Sequence, residues 1–139
     1  MAMGAVFQRL QAAIGVRDVP ASIAFYADAL GFDVRAEMGE PAEFALLGRD
    51  AVTLSLVKAV QPAIADFACC YLYVSDVEAV LRDCERTGAP IVQPLTRHPW
   101  GNRDFVVRDP DGHRIAIGQV ESPPEPERAV SSLRSPPRA

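Results

Sequence analysis

The sequence predicts an α+β fold built from two βαβββ modules, and three observations predict it. The chain repeats itself at about half its length. Each copy opens with a short apolar run followed by one amphipathic helix. Each helix is then followed by three short strands joined by tight turns. The repeat is carried by Val16-Arg17-Asp18 and Val74-Ser75-Asp76, offset by 58 residues, and by Gly31 and Gly88, offset by 57. Self-similarity at this period means two copies of one supersecondary unit.

In the first copy, residues 10–16 form a short bounded apolar run, as a buried strand does. Asp18 can accept hydrogen bonds from the free N–H groups that open a helix, and Pro20 fits the first turn, where its missing N–H costs nothing. Ile23, Tyr26, Ala27 and Leu30 recur at i, i+3, i+4 and i+7, one core-facing stripe. Gly31 supplies a left-handed helix end. In the second copy Ser75 and Glu78 form a capping-box pattern, Val77, Val80, Leu81 and Cys84 make the stripe, and Gly88 ends it. Strands are predicted at 33–38, 43–47 and 51–57, with Gly48-Arg49-Asp50 turning between the last two. Their counterparts are 91–93, 102–108 and 114–119, with Asp109-Pro110-Asp111-Gly112 as the turn. One helix covers only one face of each mostly antiparallel sheet. Two such sheets facing each other would enclose a cavity.

Length and composition bound the rest. With 139 residues, 49% apolar and 23% charged, the chain suits one globular domain that buries a core without metals or disulfides. That domain is expected over 1–120, with modules at about 8–58 and 66–120. Nine of the 19 residues in 121–139 are Pro or Ser, a composition expected to stay disordered. The start MAMGAVFQRL does not read as a signal peptide, and no run approaches the roughly 18 apolar residues of a membrane span. A cytoplasmic protein without a membrane partner is therefore expected. Cys69, Cys70 and Cys84 form no zinc pattern and are expected to be reduced thiols. The net charge of −4 lies wholly in 1–120, because the tail carries three Arg and three Glu. A mildly acidic body argues against nucleic acid as a partner.

Val16-Arg17-Asp18-Val19, then Ser22-Ile23-Ala24-Phe25-Tyr26 and Leu30-Gly31-Phe32, and finally Val106-Val107-Arg108-Asp109-Pro110-Asp111-Gly112-His113 form a specific combination. Over residues 8–120 it resembles the vicinal-oxygen-chelate superfamily of glyoxalases, bleomycin-resistance proteins and dioxygenases. The resemblance implies the paired βαβββ fold, a homodimer, and sites in sheet-lined hollows often shared between subunits. Metal-dependent members hold a divalent ion at four positions. Here these correspond to Gln11, Leu54, Cys69 and Ala116, of which the two aliphatic residues cannot bind any ion. The resemblance is therefore closest to the metal-free bleomycin-binding type, with no metal and no cofactor expected.

Without an ion to polarise substrate oxygens, what remains is the hollow, and an apolar concave site suits a planar or aromatic small molecule. Strand alternation places Phe44, Leu46, Leu54 and Leu56 in it. Gln11, an amide on an apolar strand, needs a partner, and Cys69 faces inward by the alignment. Trp100, between Pro99 and Gly101, can stack on a flat ligand. Arg103 can pair with an anion, stack on Trp100 or form a surface ion pair, and Phe105 completes the lining. His98 lies where it could gate a pocket, and His113 reads as structural. Asp18, Asp76, Asp109 and Asp111 read as caps and turns. No catalytic residue is expected. The leading expectation is a metal-independent small-molecule binding protein that sequesters an antibiotic-like or aromatic compound. The alternatives are a lyase or dioxygenase of the same superfamily with an unconventional metal site, and a ligand-free scaffold.

Overall fold

In the computed structural model, residues 4–121 are described. They form β1 (Ala12–Val16), α1 (Val19–Leu30), β2 (Asp33–Met38), β3 (Phe44–Arg49), β4 (Val52–Lys58), β5 (Ala68–Tyr73), α2 (Val77–Arg86), β6 (Ile91–Arg97), β7 (Asn102–Arg108) and β8 (Arg114–Val120). The strands make two four-stranded sheets, ordered β1-β4-β3-β2 and β5-β8-β7-β6. In each, the first strand pairs in parallel with the last and the other pairs are antiparallel. The expected two-module α+β architecture is thus the observed one. Residues 122–139, which hold nearly all of the expected tail, lie outside the described residues.

Local sequence explains the elements, with two differences from expectation. Asp18 caps α1 by accepting from Ala21 N–H at 3.0 Å, and Gly31 ends it at φ 70°, a conformation that costs glycine little. The cap of α2 is Asp76, accepting from Ala79 N–H at 3.1 Å, rather than Ser75. Helix start and Asx geometry leave Ser75 one residue too early to reach the first turn. Strand β6 runs four residues further than predicted, to Arg97. It is an edge strand with two register shifts, so Pro94, which cannot donate to a ladder, is tolerated within it.

The buried residues of α1 are Val19, Ser22, Tyr26, Ala29 and Leu30, a wider arc than the predicted stripe. Its extra flank is covered by the second module, since α1 packs against α2 as well as against β3 and β4. One core cluster runs through both modules, from Ile14, Val16, Leu47, Leu54 and Leu56 to Val77, Cys84, Phe105, Val107, Ile115 and Ile117. The helix-covered sides therefore meet in the middle. The modules meet through their helices and this shared core, and a cleft opens between them.

The Asp-Pro-Asp-Gly turn fastens this junction. Tyr26 Oη donates to Asp109 Oδ2 at 2.9 Å, with both groups buried. The N–H groups of Asp111 and His113 donate to Asp109 Oδ1 at 3.0 and 2.8 Å. Nε2 of His113 lies 2.7 Å from the carbonyl oxygen of Gly15 in β1. A carbonyl only accepts, so that nitrogen carries the proton. Arg17, just after β1, donates from its backbone and guanidinium N–H groups to Asp111 Oδ1 at 3.1 Å. Burial, and then Asp109, push the Tyr26 phenol far up, so it stays a donor at every physiological pH.

Candidate functional site

Strand register decides which side chains reach an open face. In the first sheet Phe44 pairs with Val57 and Leu46 with Ser55, while Ala45 pairs with Leu56 and Leu47 with Leu54. Directly paired residues share a face. Phe44 and Leu46 are therefore on the open face, with Gln11, whose Oε1 accepts from Thr53 Oγ1 at 3.2 Å. Leu54 and Leu56 face α1 and are fully buried. Alternation within each strand was read correctly, but an even residue on β3 pairs with an odd one on β4, so the two strands were expected in the wrong phase.

The same test applied to the second sheet removes two more candidates. Phe105 pairs with Ile117 and lies fully buried on the helix side. Arg103 shares that side. Its guanidinium meets Glu78 of α2 at 2.7 Å and Glu121 at 3.2 Å, so it holds the helix to the sheet edge. Cys69 is exposed at a register shift between Ala68 and Cys70, which breaks the alternation that had pointed it into the hollow. Of the nine predicted lining residues, Trp100 alone borders the hollow on the second sheet.

That hollow has a volume of about 530 Å³ and is lined by Phe67, Gln93, His98, Trp100, Asp104 and Arg114 among others. At its base lies Asp104, 6% exposed and on the open face opposite Gly118. Its Oδ1 accepts from Gln93 Nε2 at 2.9 Å and lies 2.7 Å from His98 Nε2. Its Oδ2 accepts from Tyr71 Oη at 2.9 Å, and Asn102 Nδ2 donates to that hydroxyl at 3.2 Å. Tyr71 can lie across the sheet because Gly118 has no side chain: a Cβ there would collide with the phenol. The imidazole of His98 in turn stacks on Trp100, with centroids 4.5 Å apart and planes 5° from parallel. Asp104 thereby fixes a stacked imidazole–indole pair at the rim.

Burial alone would raise the Asp104 carboxyl, but the hydrogen bonds from His98, Gln93 and Tyr71 outweigh it and hold the group below the usual carboxylate range. A charged carboxylate accepts only, so His98 donates from Nε2. Burial and the bond to Asp104 push Tyr71 up to about 12. The folded carboxyl binds its proton less tightly than the unfolded one. The network's contribution is therefore complete above about pH 4 and is lost as pH falls through the lowered folded value. Between about pH 5 and pH 2, wild type should lose more stability than Asp104→Asn in urea unfolding; equal losses would contradict this network.

None of these polar groups except His98 was singled out from the sequence. The signal was present in Asn102-Arg103-Asp104-Phe105-Val106-Val107. Its odd positions from 105 onward are apolar and face the helix, so Asn102 and Asp104 must face the open side. Tyr71 and Gln93 carry no comparable mark, because their role depends on tertiary register. A second cleft, of about 450 Å³, opens between the modules beside Phe32, Arg49, Val52, Leu72 and Val80, and contains none of the predicted residues.

The donor set does not fit a divalent ion of the kind the fold resemblance brings to mind. Leu54 is in the core, Ala116 has no donor, Gln11 is engaged by Thr53, and Cys69 stands apart. Among the described residues no three His, Cys, Asp or Glu side chains converge as a metal site requires. No helix among the described residues is long and apolar enough to cross a membrane.

Comparison with known proteins agrees with this architecture. The chain is 41% identical over 49 residues to uncharacterized proteins of Mycobacterium bovis and Mycobacterium tuberculosis. That stretch is 35% of this chain and spans about a third of the length of these curated relatives, 32% and 29% respectively. Similar solved structures include TnmS3, an antibiotic binding protein from Streptomyces sp. CB03234. It has a TM-score of 0.72 and 23% identity, covering 86% of this chain and all of that one. TioX from Micromonospora sp. ML1 has a TM-score of 0.71 and 22% identity over 82% of this chain and 99% of its own. The bleomycin resistance determinant of transposon Tn5 has a TM-score of 0.71 and 22% identity over 84% of this chain and 100% of its own. Identities this low speak for the fold alone. The family model described as the Glyoxalase/Bleomycin resistance protein/Dioxygenase superfamily matches residues 8–117, and the chain belongs to that superfamily.

Proposed function

We propose that the protein is a metal-independent binding protein that sequesters a planar aromatic or antibiotic-like small molecule in the hollow of its second sheet. The observation that carries this reading is the His98–Trp100 stack, anchored on buried Asp104 at the rim of a 530 Å³ hollow. A preformed aromatic plane offers a flat ligand contact area without an ordering cost. The antibiotic binding recorded for TnmS3 supports the same ligand class here. Asp104 is a positioning residue, since its oxygens are occupied by His98, Gln93 and Tyr71.

A homodimer belongs to the same proposal. The open faces expose Met38 and Val57 on the first sheet and Tyr73 and Trp100 on the second. A second copy would cover these and place Gln11, Phe44 and Leu46 opposite a partner's hollow. The cytoplasm is the proposed location.

The test is calorimetric titration of chelator-treated protein with bleomycin and a panel of planar aromatic antibiotics. A ligand should bind with Trp100→Ala weakening it at least tenfold, about 1.4 kcal/mol, while Arg103→Ala leaves affinity unchanged. No binder across the panel, or equal binding by Trp100→Ala, would overturn the reading.

A further inference from the structure

The hollow of the second sheet runs along its strands. His98 and Trp100 stand at one end, Asp104 and Ala116 lie on its floor, and Phe67 and Arg114 are at the other end, where β5 begins beside β8. The aromatic residue at each end is open, with Trp100 45% and Phe67 69% exposed. One guanidinium nitrogen of Arg114 donates to the carbonyl oxygen of Asp66. Among the described residues, no carboxylate forms an ion pair with Arg114.

The described chain ends beside Trp100. Glu121 N–H donates to Gly101 O at 3.0 Å, and the Glu121 carboxylate pairs with Arg97 and Arg103 at 2.7 and 3.2 Å. The helix side of this sheet end is occupied by Arg103 and its two glutamates, and the open side offers the hollow. The sequence continues as Ser122-Pro123-Pro124-Glu125-Pro126-Glu127.

We propose that residues 122–127 lie back along the open face of the second sheet as an intramolecular plug. Pro123 and Pro124 rest against the Trp100 indole, and Glu127 pairs with Arg114. The plug rests on the hollow being a binding site, as proposed for the small molecule, and adds an occupant that the chain itself supplies. Prolines have no N–H to give to a ladder, so β8 cannot simply run on through 123 and 124. Pro-rich segments are preorganised in an extended form and dock in aromatic-lined grooves at low ordering cost.

Reach and charge agree with this path. From Val120 back to Arg114, β8 makes six residue steps, about 20 Å at roughly 3.3 Å each. An extended Pro-rich segment advances about 3.1 Å per residue, so the six steps from Glu121 to Glu127 span about 19 Å. Glu127 thus comes level with Arg114, an acid against the arginine that lines the hollow. A tether this short gives the plug an effective concentration in the millimolar range, so even a weak contact is populated. A ligand must then displace the plug, and its apparent affinity falls by the fraction of hollows left open.

The test is acrylamide quenching of the emission of Trp100, the sole tryptophan, in the full chain. With the plug docked more than half of the time, the quenching constant should rise about twofold or more in Pro123→Ser/Pro124→Ser/Pro126→Ser. Glu127→Arg should raise it too, and adding Arg114→Glu to Glu127→Arg should lower it again. Equal quenching of wild type and the proline variant would overturn the proposal. So would a difference that vanishes on dilution, since a second copy would then be what covers the rim. No ligand enters this measurement. A compound that binds without any quenching difference sinks the plug alone, and a quenching difference without any binder sinks only the sequestration reading.

Discussion

Phe105→Ala is expected to cost about 3–5 kcal/mol of stability without touching the ligand surface. The side chain is 0% exposed and sits between Ile117 and the helix layer. Removing the ring leaves a void that the close-packed neighbours Val107, Ile115 and Ile117 refill only partly. Leu54→Ala should cost about 2–5 kcal/mol for the same reason. Leu46→Ala, on the open face of the next strand, should cost clearly less than Leu54→Ala, because its neighbours are partly solvated. Urea unfolding of the three variants checks the assignment of faces. If Leu46→Ala lost as much as Leu54→Ala, the register from which the open faces are derived would be wrong.

Asp109→Ala is expected to cost about 3 kcal/mol or more, although the residue lies in a turn. Its two oxygens accept three hydrogen bonds, from Tyr26 Oη and the N–H groups of Asp111 and His113. Truncation leaves a buried phenol and two turn N–H groups without their acceptor, each costing about 1–3 kcal/mol if it finds no water. Tyr26→Phe should cost less, since it removes one donor and leaves the two hydrogen bonds to Asp109 Oδ1 in place, with only Oδ2 losing its partner. The double variant should show a coupling of about 0.5–3 kcal/mol, as contacting residues do. Additive losses in a denaturation cycle would mean that the turn does not fasten α1 to the second module.

The fold was legible because its determinants are local or repeated. Asp18, Gly31 and the Asp-Pro-Asp-Gly turn act within a few residues of their own position, and the half-length repeat gave the module count. The choice of Asp76 over Ser75 as cap turns on a one-residue shift that pattern alone does not resolve. The site was legible only in part. Trp100 was marked by its flanking Pro99 and Gly101. Leu54, Leu56, Phe105 and Arg103 were misassigned because facing depends on how neighbouring strands are phased, and a single strand's alternation does not contain that. The bulge at Cys69 is likewise a property of the β5–β8 pairing. Asp104 looked like one more surface acid, and only the closing of β6, β5 and β7 around it brings Gln93, His98 and Tyr71 to its oxygens.

Trp100 is the sole tryptophan of the chain, so its emission reports on the rim of the hollow directly. The decisive measurement is that emission, titrated in chelator-treated protein with bleomycin and the planar aromatic panel. A platform that receives its ligand without an ion predicts a saturable change with at least one compound, the same with or without added divalent metal. Emission that answers only after a metal ion is supplied, or that stays constant while calorimetry records binding, would contradict a metal-free site at the His98–Trp100 stack.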